Sequence, residues 1–223
     1  MRQALSYAIN RNDFLQGAAL GYGQVTGYIP ASDKTWSIPT SELPTYTTNV
    51  DKAKQLLKDA GYANGFDVTL RVSPLYVLDT ADAQILQQQL KPIGVNVKIE
   101  QLEWGNLLDA WVKSDFEMLN ILLLGLPDPD GYTWGRYHTK SPSNYNKISD
   151  SALDALMDQA RSETDVAKRK SLYADIQRKL DELVPNLFYY VYDVWLIWDP
   201  KAQGITPLPN SSAPYMKRIW FEK

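Results

Sequence analysis

The sequence predicts an α/β fold with a mostly parallel sheet flanked by helices. Three observations carry that expectation. "FDVTLRVS" and "VNVKIEQL" alternate or are β-branched like strands, while "TADAQILQQQLKPIG" and "EWGNLLDAWVKSD" carry apolar residues at helical spacing. "FEMLNILLLG" is a near-continuous apolar run of the kind shown by a strand covered on both faces. In chain order these segments read β-α-β-α-β, which argues for parallel strands joined by right-handed crossovers.

At the start of the chain, Ala4, Leu5, Ala8 and Ile9 share one helical face, and "RNDFLQGAALGYG" reads as a second short helix ending at Gly21. From Gly23 to Thr48 the chain is rich in Pro, Ser, Thr and Gly without a period, which predicts a long surface loop. Loops of that length inside a compact domain usually have a functional reason. "NVDKAKQLLKDAGY" predicts a helix capped by Asn49, striped by Ala53, Leu56, Leu57 and Ala60, and stopped by a left-handed Gly61. Thr80 is the expected cap of the helix between the first two strands of the unit, and Leu107, Leu108, Trp111 and Val112 form the stripe of the next. "SDSALDALMDQARSE" and "TDVAKRKSLYADIQRKLDELV" predict two further helices opened by Ser, Asp or Thr, the second closed by Pro185. The tail from Asn186 is aromatic and strand-like, then broken by prolines. Nothing repeats at a fixed period.

Composition narrows the functional classes. A chain of 223 residues can bury a substantial core, and one domain is the default. A net charge of -3 and a pI near 5.2 lack the basic excess that phosphate-backbone binding requires, so nucleic acid is not expected as a partner. The absence of cysteine excludes disulfides, thiolate metal sites and cysteine nucleophiles. The single histidine, His138, argues against a zinc enzyme or a Ser-His-Asp hydrolase, and neither metal nor cofactor is expected. "MRQALSYAIN" is amphipathic after Arg2 and does not read as a signal peptide. The longest apolar stretch, Met118 to Leu126, is too short to cross a bilayer, which needs about 20 residues.

In open parallel sheets, ligands sit outside the carboxyl ends of the strands. Three such ends are expected here, at "SPLYVLD", "QLEWGN" and "GLPDPDGYTWGRYH", and they bring Tyr76, Trp104 and the set Tyr132, Trp134 and Tyr137 toward one rim. Aromatic residues are more often core than ligand contacts, and Trp111 and Tyr173, at helical spacing, are assigned to core. Trp104 and Trp134, beside Gly105 and Gly135 in expected loops, are the better candidates for ligand contact. Asp128 and Asp130 could act as an acid and base, but an aspartate before proline more often binds the amides of its own turn, so the pair reads first as a rigid turn. Arg136 and Lys140 place His138 on a solvated surface. The run "DVAKRKS" reads as a solvated helix start.

The segments "RQALSYAINRNDFLQGAALGYGQVTGYIP", "DKAKQLLKDAGYANGFDVTL", "LQQQLKPIGVNVKIEQLEWGNLL" and the long stretch from "DPDGYTWGRYH" to "DIQRKL", in this order, resemble the C-terminal half of the family 5 extracellular solute-binding proteins. These are oligopeptide- and dipeptide-binding receptors of ABC importers. The resemblance runs through nearly the whole chain. It implies a clamshell of the type II periplasmic-binding-protein class, periplasmic or extracellular and tied to the membrane through its permease, that closes on a small organic ligand. Residues 1–189 would be its second lobe, and residues 190–223 a segment that returns to a first lobe. That lobe and a signal sequence would precede Met1, making this chain a fragment. "YYVYDVWLIWD" would then lack its usual partner surface, and is expected to pack differently or to pair between chains.

The resemblance also bears on the ligand. Peptide-binding members commonly carry, three residues before the first aspartate of "DPD", an aspartate that pairs with the peptide α-ammonium. Here that position is Gly125. A buried ammonium without a carboxylate costs several kcal/mol. An oligosaccharide, opine or metal chelate is therefore an alternative to peptide, which stays open because the acid could come from the other lobe. Expected ligand-facing residues are Tyr76, Trp104, Leu124, Gly125, Leu126, Tyr132 and Trp134, with Asp128 holding the loop. A carboxylate hydrolase using Asp128 and Asp130 is the enzymatic alternative, and no catalytic residue is expected if the chain is a receptor.

Overall fold

A computed structural model describes residues 1–206 and 218–222. Its helices and strands are α1 (Arg2–Ala8), α2 (Arg11–Gly17), β1 (Gly23–Val25), α3 (Val50–Asp59), β2 (Phe66–Val72), α4 (Val77–Leu90), β3 (Val95–Gln101), α5 (Trp104–Lys113), β4 (Met118–Leu119), α6 (Pro129–Tyr132), α7 (Trp134–Tyr137), α8 (Ser151–Ser162), α9 (Val166–Leu183), β5 (Tyr190–Tyr192), β6 (Ala202–Gln203) and β7 (Trp220–Phe221). Most of the prolines expected to break the tail, Pro207, Pro209 and Pro214, lie outside the described residues.

The β-α-β-α-β unit is present and parallel. β2 pairs along its whole length with β3, from Phe66 opposite Val95 to Val72 opposite Gln101, and pairs with β4 on its other side, giving the order β3-β2-β4. The apolar run "FEMLNILLLG" does not form the central strand its composition suggested. Only Met118 and Leu119 join the ladder, as an edge, and the chain then runs without regular structure to Leu124, which is 73% exposed. A buried strand and a cavity wall both require apolar side chains, and composition does not separate them.

Local signals placed most helix ends correctly. Asn49 accepts the Lys52 amide at the start of α3, Asp150 that of Leu153 at α8, and Asp165 that of Lys168 at α9. Thr80 caps nothing: α4 begins three residues earlier, at Val77, and its first turn has no side-chain cap. Trp104 opens α5, whose cap is the Glu103 carboxylate, and so is not a loop residue. α2 ends at Gly17, ahead of the expected stop at Gly21, and Leu20 and Gly21 follow with positive φ.

Two apolar cores hold these elements. One lies between the parallel sheet and α1 to α4, and includes Leu5, Phe14, Leu57, Leu70, Leu86 and Val95. The other is built on α8 and α9, with Leu153, Met157, Tyr173 and Ile176 meeting Tyr28, Ile29 and Leu43. Those last three belong to the stretch expected to be a surface loop. It is instead threaded into the second core, contributes β1 and two 3-10 turns, and buries Thr26 and Thr45 as well. Aperiodic apolar residues among prolines gave no pattern from which that burial could be read. Tyr173 is core as expected, whereas Trp111 is only half-buried, edge-on to Tyr145.

The approach of β2 to β3 fixes one glycine. Gly65 has φ +75°, and a Cβ there would stand 1.8 Å from the Gly94 carbonyl oxygen. Gly65→Ala therefore meets both a left-handed backbone and a backbone clash, and is expected to destabilise the protein by more than about 2 kcal/mol in urea unfolding. Gly61→Ala, with left-handed φ and open space around it, is the milder control.

Candidate functional site

A cavity of about 1540 Å³ runs along the Phe66, Val68 and Leu70 face of β2 and past β4 to the loops that follow these strands. One wall is the irregular run Asn120 to Pro127, another the turn Leu75–Tyr76 with the first turns of α4, and a third the segment around β5. Of the expected ligand-facing residues, Tyr76, Leu124, Gly125, Leu126 and Tyr132 line this space.

The loop wall is braced from behind by short helices. The Leu126 amide donates to the Tyr132 hydroxyl at 2.5 Å, and the Arg136 guanidinium donates to the Leu124 carbonyl at 3.3 Å while lying over the Tyr132 ring. Tyr132 is thus buried, a support for the loop more than a projecting rim residue. Tyr137 goes deeper still, with its hydroxyl donating to Asn186 Oδ1 at 2.8 Å, and burial holds that phenol well above its ordinary range. Asp128 does what a turn aspartate does: it accepts the Asp130 amide and caps α6.

Three expected residues lie outside the lining. Trp104 touches Tyr76 edge-on, with ring centroids 5.3 Å apart, and reaches the cavity only through it. The strand before it, β3, borders β2 on the side away from β4, and its end meets the cavity wall through the contact of Trp104 with Tyr76. Trp134 faces α8. Its indole N–H donates to Asp158 Oδ1 at 2.9 Å, its ring stacks on His138, and the Arg161 guanidinium lies 3.8 Å from its centroid. Asp128 is likewise outside the cavity, held by Arg169 at 3.0 Å.

His138 is not solvated but 2% exposed, packed on Trp134 with Nδ1 accepting the Lys140 amide and Nε2 3.3 Å from Asp158 Oδ1. Its charged sequence neighbours point elsewhere. Asp130, paired with Arg161 at 2.8 Å, also lies outside the cavity lining, so neither aspartate of the turn faces the space where a substrate could bind.

The residues that sequence reasoning missed are Asp79, Asp82, Tyr190 and Tyr192. All four line the cavity. The Tyr190 hydroxyl donates to both oxygens of Asp82, at 3.2 and 3.1 Å. Burial pushes the Asp79 carboxyl up to about 6 and that of Asp82 up to about 7, and desolvation beside these acids raises the Tyr190 phenol strongly. A signal was available: Asp79 and Asp82 fall on the same helical stripe as Ala83, Leu86 and Leu90, where carboxylates are out of place. Among the described residues no cluster of His, Cys, Asp and Glu could hold a metal ion, and no helix is long and apolar enough to cross a membrane.

Comparison with known proteins agrees with this architecture. Along its full length the chain is 27% identical to the oligopeptide-binding protein AppA of Bacillus subtilis, spanning 44% of that protein. It is 28% identical to the dipeptide-binding protein of Escherichia coli over 84% of the chain and 36% of the relative. The structure of Bacillus subtilis AppA in complex with a nonapeptide superposes with a TM-score of 0.81 at 26% identity, covering 100% of this chain and 47% of that one. The chain thus spans less than half the length of these relatives. They are binding proteins, and their structures share the α/β architecture described above. Residues 1–144 match the model for the middle region of the bacterial extracellular solute-binding proteins, family 5, and on that match the chain belongs to this family.

Proposed function

We propose that this chain is a ligand-binding lobe of the substrate-binding component of an ABC importer, and that its cavity binds a small organic solute, with peptide the first class to test. The observation that carries this reading is the large cavity beside β2 and β4, whose walls combine apolar and aromatic residues with polar and charged ones such as Asp79, Asp82, Asn120 and Arg136. The names of the relatives, oligopeptide- and dipeptide-binding proteins, favour peptide. Gly125, exposed in the loop wall, leaves oligosaccharide, opine and metal chelate in the comparison panel.

The assignment implies a periplasmic or extracellular protein that works with a permease, without catalysis. The carboxylates that an Asp128 and Asp130 hydrolase would need are engaged by Arg169 and Arg161 away from the cavity. Tyr76, Leu124, Gly125, Leu126 and Tyr132 are the proposed ligand-side residues; Trp104 backs Tyr76, and Asp128 and Trp134 stand outside the cavity. Residues 190–223 form the proposed junction with a first lobe. Val194 to Trp198, with Ile197 94% exposed, is the apolar surface such a lobe or a second copy of the chain would cover.

Thermal shift against tripeptides, oligosaccharides and a metal chelate tests the receptor reading. A ligand at 100 times its Kd should stabilise the native state by about 2.7 kcal/mol. The expected result is a rise in Tm with peptide accompanied by a change in tryptophan fluorescence, because Trp111 lines the cavity and Trp104 touches it through Tyr76. No response to any member of the panel at millimolar concentration would sink the receptor reading.

A further inference from the structure

Two carboxylates in the cavity lack any countercharge. Asp79 and Asp82 are 5% and 6% exposed and stand three residues apart on α4, on one face. Asp82 has only the Tyr190 hydroxyl, and Asp79 Oδ2 is buried with no hydrogen-bond partner. Among the described residues, neither carboxylate has a salt bridge. Three cationic side chains line the cavity, and none pairs with either carboxylate: Lys34 donates to Gln24, Arg136 to the Leu124 carbonyl, and Arg2 forms no salt bridge among the described residues.

Buried carboxylates are ordinarily paired, because an unpaired charge in low dielectric is costly. We propose that Asp79 and Asp82 receive a cationic group of the ligand, an ammonium or guanidinium, with Tyr76, Tyr190 and Tyr192 supplying aromatic faces around it. This rests on the receptor reading and names the chemistry of its ligand. It also moves the cation site from the loop position occupied by Gly125 to the first turns of α4.

Three observations converge on a cation. Both residues line the cavity although they are nearly buried. Asp79 Oδ2 offers an unused acceptor next to Asp82. Three tyrosine rings line the same space, and aromatic faces together with carboxylates are the usual surroundings of a bound ammonium. The raised carboxyls agree with this, since burial disfavours their charge until a cation arrives to offset it.

The test is calorimetric titration at pH 8 with three tripeptides: Ala-Ala-Ala, Ac-Ala-Ala-Ala and Ac-Ala-Arg-Ala. The first presents an α-ammonium, the second no cation, and the third only a side-chain guanidinium. The expected result is that at least one cationic peptide binds about tenfold or more tighter than Ac-Ala-Ala-Ala, with the difference collapsing in Asp79→Asn and Asp82→Asn. Which peptide wins separates an α-amino site from a side-chain site. Equal binding of all three, or a cation preference that survives both substitutions, overturns the inference and leaves the receptor reading standing. No binding by any of the three overturns the inference for peptides, and silence across the whole thermal-shift panel removes the receptor reading with it. Both variants lose an unpaired buried charge and should fold, which urea unfolding checks.

Discussion

Asp181→Ala is expected to destabilise the protein by about 3–5 kcal/mol, the cost of stranding a buried charge. Asp181 is 2% exposed on α9, and its two oxygens accept the Thr45 hydroxyl at 2.5 Å and the Thr45 amide at 3.0 Å. Since Thr45 Oγ1 donates to Asp181, it accepts from Ser6 Oγ at 2.8 Å, and Ser6 in turn accepts from Arg11 Nη2 at 2.7 Å. The proton order therefore runs one way, from the guanidinium to the carboxylate. Arg11 also donates to the Phe188 carbonyl at 2.9 Å and lies 3.5 Å over the Tyr46 ring. This chain of contacts joins α1, α2, the 3-10 turn at Pro44–Tyr46, α9 and the segment leading into β5, which links the two cores. Without Asp181, Arg11 becomes an uncompensated buried cation and the Thr45 amide loses its acceptor. Urea unfolding measures the loss, with Glu182→Ala, an exposed partner of Lys179, as a control expected to cost under about 1 kcal/mol. A stability within about 1 kcal/mol of the parent would show that the network is not what joins the cores.

That network illustrates which parts of the fold can be read from the chain. Asn49, Asp150 and Asp165 announced their helices because a cap acts through local chemistry, and β2 and β3 announced themselves through alternation and β-branching. Thr45 and Asp181 lie far apart in sequence, and neither has a local pattern that marks it as buried. The same holds for Tyr28 and Ile29, whose burial depends on helices more than a hundred residues away. Tertiary context decided those positions, and periodicity carries no record of it.

The site was legible in outline but not in detail. Five of the eight residues expected to face a ligand line the cavity, and Trp104, Asp128 and Trp134 do not. What failed was the assumption that an aromatic residue at a strand end projects into the cleft. Trp134 has an N–H that needs an acceptor, and Asp158 supplies one on the outer face, with Arg161 closing over the ring. Conversely, with Thr80 as the expected cap, Asp79 fell in the loop "SPLYVLD" and could not be read on one helical stripe with Asp82; α4 in fact starts at Val77. The informative feature was their phase on the helix: they share the stripe of Leu86 and Leu90, so they had to be either buried at a cost or aimed at something.

Asp82→Asn is accordingly expected to stabilise the protein at pH 8, by roughly 2–4 kcal/mol. Burial raises the folded-state carboxyl of Asp82 from an ordinary 3.8 to about 7, with the Tyr190 hydroxyl opposing the shift and Asp79 adding to it. The folded protein therefore holds this proton more tightly than the unfolded chain. The stabilisation from the protonated form is complete below about pH 4, falls by at most about 1.4 kcal/mol per unit as pH rises, and is gone above about pH 7. Asparagine removes the charge but keeps an acceptor for Tyr190, so the variant should match the parent near pH 4 and exceed it progressively toward pH 8. Urea midpoints at pH 4, 6 and 8 would show two diverging curves. Parallel curves would mean that the Asp82 carboxylate is solvated in the folded protein. Divergence would instead identify a charge kept at the expense of stability, as expected of a group that serves a ligand more than the fold.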